Sequence, residues 1–240
     1  MKKILSLLLA TAALPVSAQT ADTWDVPENC AAYLTIQTED CGVDHVFTCE
    51  GDPEGSQWRA SIGENGLSYI GQIDSETQWI ESIHFFSQRI ERLSEEVADR
   101  ASISELIETG IDTYDFTTES EEAGVTRYVG FDSLTGNQIT IDGVTLDETE
   151  YQITAYDEAG EVIWSSQGNE FISQRFRMFL AGNSEVTNQN GSFEIEGEPV
   201  EFIFEGEPGF LSANPKYGCG VSDASAPSIL DRLEALNNEL

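Results

Sequence analysis

Only two side chains in this chain, His45 and His84, carry a group that ordinarily titrates near neutrality. A Ser-His-Asp site would have to use one of them, and no Gly-x-Ser-x-Gly nucleophile elbow is present. His45 follows Asp44 in a strand-type run, where adjacent side chains point to opposite faces, so the two cannot pair within one strand. His84 lies in the apolar setting Ile83-His84-Phe85-Phe86. Both read as structural histidines, and no catalytic residue is assigned. Carboxylate chemistry is no more selective. A glycosidase holds two acids ~5–9.5 Å apart, but among 44 Asp and Glu such a pair arises by chance.

Metal and phosphate chemistry lack their motifs. No C-x-x-C occurs and the histidines lack ligand-pair spacing, which excludes the usual zinc patterns. Asn188-x-Asn190-Gly191 copies the middle of a calcium loop, but Val186 and Gly197 stand where its first and last carboxylates belong, so it reads as a hairpin turn. Glu119-Ser120-Glu121-Glu122 reads as exposed acidic loop. Glycine-rich phosphate loops are absent. No metal ligand and no cofactor is assigned.

One feature is uneven. Read as a single strand, Phe171–Leu180 places Phe171, Ser173, Arg175, Arg177 and Phe179 on one face. Arg175 and Arg177 could grip a carboxylate or phosphate while Phe171 and Phe179 cover an apolar tail, making an amphiphile site. The plainer reading is a pair of salt bridges to surrounding acids.

Charge narrows the partners. Against 44 acids stand 11 Lys and Arg, a formal charge of −33. A nucleic-acid partner needs bases to displace counterions, and an anionic membrane surface repels this chain. Residues 1–18 read as a secretory signal: Lys2 and Lys3, an apolar Ile4–Leu14 run, then Val16-Ser17-Ala18. The run is too short to span ~30 Å of hydrocarbon, and no integral membrane segment is expected after its removal. Losing Lys2 and Lys3, with no acids, takes the formal charge from −33 to −35. The expected location is the periplasm or the exterior of a bacterial-type cell.

Four cysteines follow the leader, Cys30, Cys41, Cys49 and Cys219, and in an exported chain they read as two disulfides. With Val43–Cys49 as a strand, Cys41 and Cys49 lie ~26 Å apart at ~3.3 Å per residue, too far to bridge. Two pairings remain: Cys30–Cys41 with Cys49–Cys219, which is favoured as a clasp and a closure, or Cys30–Cys49 with Cys41–Cys219.

The elements that must position these groups are mostly short β runs between turn residues. Cys30–Gln37 is a helix entered at Pro27 or a strand. Asn65-Gly66 predicts a type I′ hairpin, and Asp142-Gly143, Asp157–Gly160 and Asn190-Gly191 mark further turns. The stretch 77–97 mixes helical spacing with strand-type residues and is read as a strand through about Ile90. Ser102-x-x-Glu105 is a capping box opening a short helix that Gly110 ends, and Pro227 opens an amphipathic helix to Leu240.

The fold expected is mainly β: an antiparallel meander over residues 19–220, forming a curled sheet or partial barrel, followed by a linker and C-terminal helix over 221–240. In architecture alone this outline is similar to periplasmic lipid and lipoprotein carriers; no residue motif carries the likeness. The function expected is non-enzymatic binding of an apolar or amphiphilic small molecule, or of an envelope protein. The alternatives are an extracellular hydrolase with a carboxylate site and a structural envelope module.

Overall fold

The computed structural model describes residues 23–220. The predicted leader and the predicted C-terminal helix lie outside the described residues.

Among the described residues, thirteen antiparallel strands and one short helix follow one another. The first six are β1 (Cys30–Thr38), β2 (Gly42–Cys49), β3 (Gln57–Gly63), β4 (Gly66–Ile73), β5 (Trp79–His84) and β6 (Arg89–Leu93). After α1 (Ile103–Thr109) come β7 (Ile111–Ser120), β8 (Gly124–Ile141), β9 (Val144–Tyr156) and β10 (Val162–Ser173). The last are β11 (Met178–Asn188), β12 (Gly191–Glu196) and β13 (Pro199–Phe204). Strands β1 to β12 form an unbroken meander, and β13 pairs with β1 at the far edge. Only residues 197 and 198 link β12 to β13, so the sheet must curl until its two edges nearly meet. There the Gly197 N–H donates to Gly182 O on β11 at 3.1 Å, but no ladder closes the seam.

Local chemistry explains most of these elements. Ser102 caps α1, its hydroxyl accepting from Glu105 N–H at 3.1 Å, and Gly110 ends the helix at φ 88°. Asp142 and Gly143 both take positive φ, the type I′ geometry, between Ile141 and Val144. At the β3–β4 turn the expectation needs correction. Gly63 pairs with Gly66, and only Gly66, not Asn65, has positive φ, so the turn centres on Glu64-Asn65 with Gly66 as its bulge.

The stretch read as one strand through Ile90 is the β5–β6 hairpin, turning over residues 85–88 with Gln88 at φ 53°. Cys30–Gln37 resolves as strand β1. That settles the disulfides as Cys30–Cys49 and Cys41–Cys219, against the pairing favoured from sequence. The distance rule that separates Cys41 from Cys49 applies equally along β1, whose far end holds Cys30, directly opposite Cys49 in register.

Apolar side chains alternate inward and fill one end of the curl. Leu34, Ile36, Val46, Phe171, Met178, Leu180 and Phe202 form one cluster with Val144 and Leu146 of the β8–β9 hairpin. Pairing of β8 with β9 skips from Leu134 to Gln138 at Gly136, φ 82°, and the hairpin bends there. Its outer arm reaches across to β13, where Asp142 Oδ2 accepts the Phe202 N–H at 3.0 Å. Burial of each such side chain contributes ~1.5–3 kcal/mol, so this arm floors the curl.

Candidate functional site: the interior cavity

Above that floor the curled sheet surrounds an open cavity of about 640 Å³, lined from every strand β1 to β12. Its wall on β7–β10 follows from register alone. Tyr114 faces Gly130, Phe116 faces Tyr128, and Asp112 faces Asp132 across β7–β8. Tyr151 and Ile153 follow on β9, then Ser166 and Trp164 on β10. One end of this wall is aromatic: Phe116 and Tyr128 stack at 5.2 Å, Trp79 meets both edge-on, and Trp164 adjoins Tyr128 at 6.0 Å. Gly130 is required here, because a Cβ would sit 2.6 Å from the Tyr114 ring and 2.3 Å from Gln152 O.

The other end of the wall is acidic. Asp112, Asp132 and Glu170 share the inward face. Asp132 is 6% exposed, lines the cavity, and receives no hydrogen bond from the protein. Burial first, then the charges of Glu170 and Asp112, push its carboxyl up to about 8. Glu170 is pushed up to about 7 by burial, against the opposing pull of Arg59. Asp112 rises to about 6 by burial and neighbouring acids, although Ser102 N–H donates to its Oδ2 at 2.8 Å. Its Oδ1 is buried with no partner.

A second polar group faces the same cavity from β5 and β6. Glu91 lies 3.4 Å from both His84 Nε2 and Arg89 Nη2, and Tyr128 Oη donates to it at 3.3 Å. Burial alone would raise this carboxyl, but the His84 hydrogen bond and the Arg89 charge outweigh it and hold Glu91 below the ordinary range. His84 is thus a partner of an acid two residues away in register, across the β5–β6 hairpin.

His45 faces outward instead. It is fully buried under Trp24, stacked at 5.2 Å, with Thr35 Oγ1 3.0 Å from Nδ1, and burial lowers it to about 4. On the outer face it meets Trp24 and the backbone of Ser212, and it does not line the cavity.

The arginine–aromatic face read from sequence is not assembled as a strand face. Residues 174–177 are a turn between β10 and β11, with Arg177 at φ 49°. Through that turn Phe171 pairs with Leu180 and Ile172 with Phe179, so Phe171 and Phe179 lie on opposite faces. Phe171 joins the floor, and Phe179 packs beside Ile172 near α1. Arg175 lies over the rings of Phe176 and Phe204 at 4.8 and 5.1 Å. Arg177 donates to Ser75 O, Ser104 Oγ and Glu76. Arg177 thus ties this turn to residues 75, 76 and 104, and Arg175 covers rings of the turn and of β13.

Among the described residues, one group of possible metal ligands converges within 4.8 Å, Cys41, Glu64 and Cys219, and its cysteines are joined in a disulfide. No helix of the described residues is long and apolar enough to cross a membrane. The two disulfides fit an oxidising, extracellular-type environment. The chain matches no protein-family model, no curated protein and no solved structure.

Asp132, Glu170, Glu91 and the ring cluster escaped the sequence reading. On β8 the inward set Thr126, Tyr128, Gly130, Asp132 alternates with Arg127, Val129 and Phe131, which is as apolar as the inward set. Hydrophobic alternation therefore cannot tell the faces apart, and Asp132 looks like any of the other acids.

Proposed function

We propose that this chain is an exported, non-enzymatic carrier that holds an apolar or amphiphilic small molecule inside its curled sheet. The observation that supports this is the interior cavity of about 640 Å³ with its continuous aromatic wall. Ligand pockets commonly span ~300–1,000 Å³ and combine apolar walls with a few polar groups that fix orientation. Export is supported by the Lys2-Lys3 leader and by the disulfides, with the periplasm or the exterior as its destination.

The test is native mass spectrometry of protein purified from its own envelope, joined with uptake of the neutral fluorophore N-phenyl-1-naphthylamine. A co-purifying mass lost on denaturation, and saturable probe uptake, are expected. Bare protein that also takes up no probe overturns the carrier reading.

A second reading, a carboxylate-based hydrolase, is favoured by one observation: two cavity acids, Asp132 and Glu170, with raised proton affinity. Turnover of nitrophenyl glycosides that vanishes in Asp132→Asn would replace the carrier reading with this one.

A further inference from the structure

We propose that the cavity selects a cationic amphiphile, seating its ammonium head between Asp132 and Glu170 and its apolar body along Phe116, Tyr128 and Trp164. This rests on the carrier reading above and adds the charge of the ligand.

Four observations carry it. First, the acids and bases facing the cavity are unequal: six carboxylates line it against two arginines and His84, which lies 3.4 Å from Glu91. Second, both arginines already face acids. Arg59 lies 3.9 Å from Asp44, and Arg89 lies 3.4 Å from Glu91, so an anionic head would find no uncommitted base. Third, Asp132 is more than nine-tenths buried, points into the cavity and has no hydrogen-bond donor from the protein. A buried carboxyl without a partner is costly, and a ligand that supplies the partner recovers that cost. Fourth, the aromatic rings adjoin this acid end in the same grid of cross-strand neighbours, and ring faces attract organic cations. A metal ion fits poorly, since Asp112, Asp132 and Glu170 do not bring three ligand atoms within 4.8 Å of one another.

The carboxyls must ionise to hold a cation, so binding releases protons. The groups facing Asp132 are Asp112 and Tyr114 on β7, Tyr151 on β9, Glu170 on β10 and, pulling on Glu170, Arg59 on β3. Affinity for a cation therefore rises with pH, because the acids that compete with the ligand for positive charge lose their protons.

The experiment is isothermal titration of the full, disulfide-intact chain with octyltrimethylammonium, 1-octanol and octanoate. Sodium chloride at about 0.5 M screens the acidic surface, with a Debye length of only a few ångströms. At about pH 8.5 the ammonium should bind about tenfold or more tighter than octanol, and the ratio should fall toward unity near pH 5. In Asp132→Asn/Glu170→Gln the preference should vanish while octanol binding persists, which separates loss of the head site from loss of the fold. Octanol binding with no preference for the ammonium, tighter octanoate, or a preference that survives the double variant overturns the inference and leaves the carrier reading standing. Failure of all three probes removes the carrier reading and this inference with it.

Discussion

Glu91 and Asp132 face one cavity from β6 and β8, and they are buried alike, at 5% and 6% exposure. Their surroundings differ. Glu91 has Arg89, His84, Tyr128 and Thr118 within reach, so its charge is matched on every side. Asp132 has other acids and no donor. Burial raises both carboxyls alike, so their partners decide the outcome: Glu91 ends below the ordinary range and Asp132 above it. A buried carboxylate with its partners built in belongs to the architecture; one without them is poised for a partner from outside.

Three measurements test that contrast. Glu91→Gln leaves Arg89 buried beside a neutral amide, which should cost about 3–5 kcal/mol at neutral pH, read by chemical denaturation. Glu91 is held below its ordinary value, so the stability it supplies is present above about pH 4.3, the unfolded carboxyl's value, and is lost as pH falls. A loss below about 1 kcal/mol, the scale of an exposed pair, would erase the contrast.

Asp132→Asn should act in the opposite direction. The folded chain holds the Asp132 proton more tightly than the unfolded chain, so its contribution is complete below about pH 4 and fades as pH climbs through about 8. Parent and variant should match near pH 4, and near pH 9 the variant should be the more stable, on the order of 1.4 kcal/mol for each pKa unit released. Adding Glu170→Gln should gain less than its own single effect, since each acid raises the other's cost. Urea midpoints at the two pH values decide it; a destabilised Asp132→Asn near pH 9 would mean that Asp132 has a partner after all.

The smallest effect is on salt. Seven of the eight described Lys and Arg side chains sit within 4.0 Å of a carboxylate, so the surplus acids on the surface have no base left to meet. The melting temperature should rise from low salt to about 1 M sodium chloride, where the screening length falls to ~3 Å. The increment from Asp132→Asn near pH 9 should stay nearly constant across that range, because buried charges are screened much less. An increment that collapses in salt would place Asp132 on the surface.

Much of the frame was legible because turns announce themselves. Asp142-Gly143, Asn190-Gly191 and the Ser102 cap carry their geometry in their own side chains or their lack of one. Strand lengths were less legible. Asp147-Glu148-Thr149-Glu150 lies in the middle of β9 although its three acids have weak β propensity, since cross-strand pairing on both sides overrides it. The Phe171–Leu180 reading failed on parity: four turn residues inserted into one apparent strand send its two phenylalanines to opposite faces. The site was least legible of all. Nothing local distinguishes Asp132 from an exposed aspartate; only the register of β7, β8 and β9 turns it inward.

The order of the strands also sets the order of events as the chain folds. Eleven of the twelve strand pairings join neighbours in sequence and can form as local hairpins. The remaining one joins β1 to β13, with Leu34 opposite Phe204, and must wait until almost the whole chain has been delivered. Until then β1 offers a bare edge of N–H and C=O groups beside apolar Leu34 and Ile36, the kind of edge that templates association between chains. Closing a loop of that length is slow compared with forming a hairpin. Like charges repelling one another along the chain keep neighbouring molecules apart during that interval. The same acidity that burdens the finished fold protects it while its first strand is still waiting for its last.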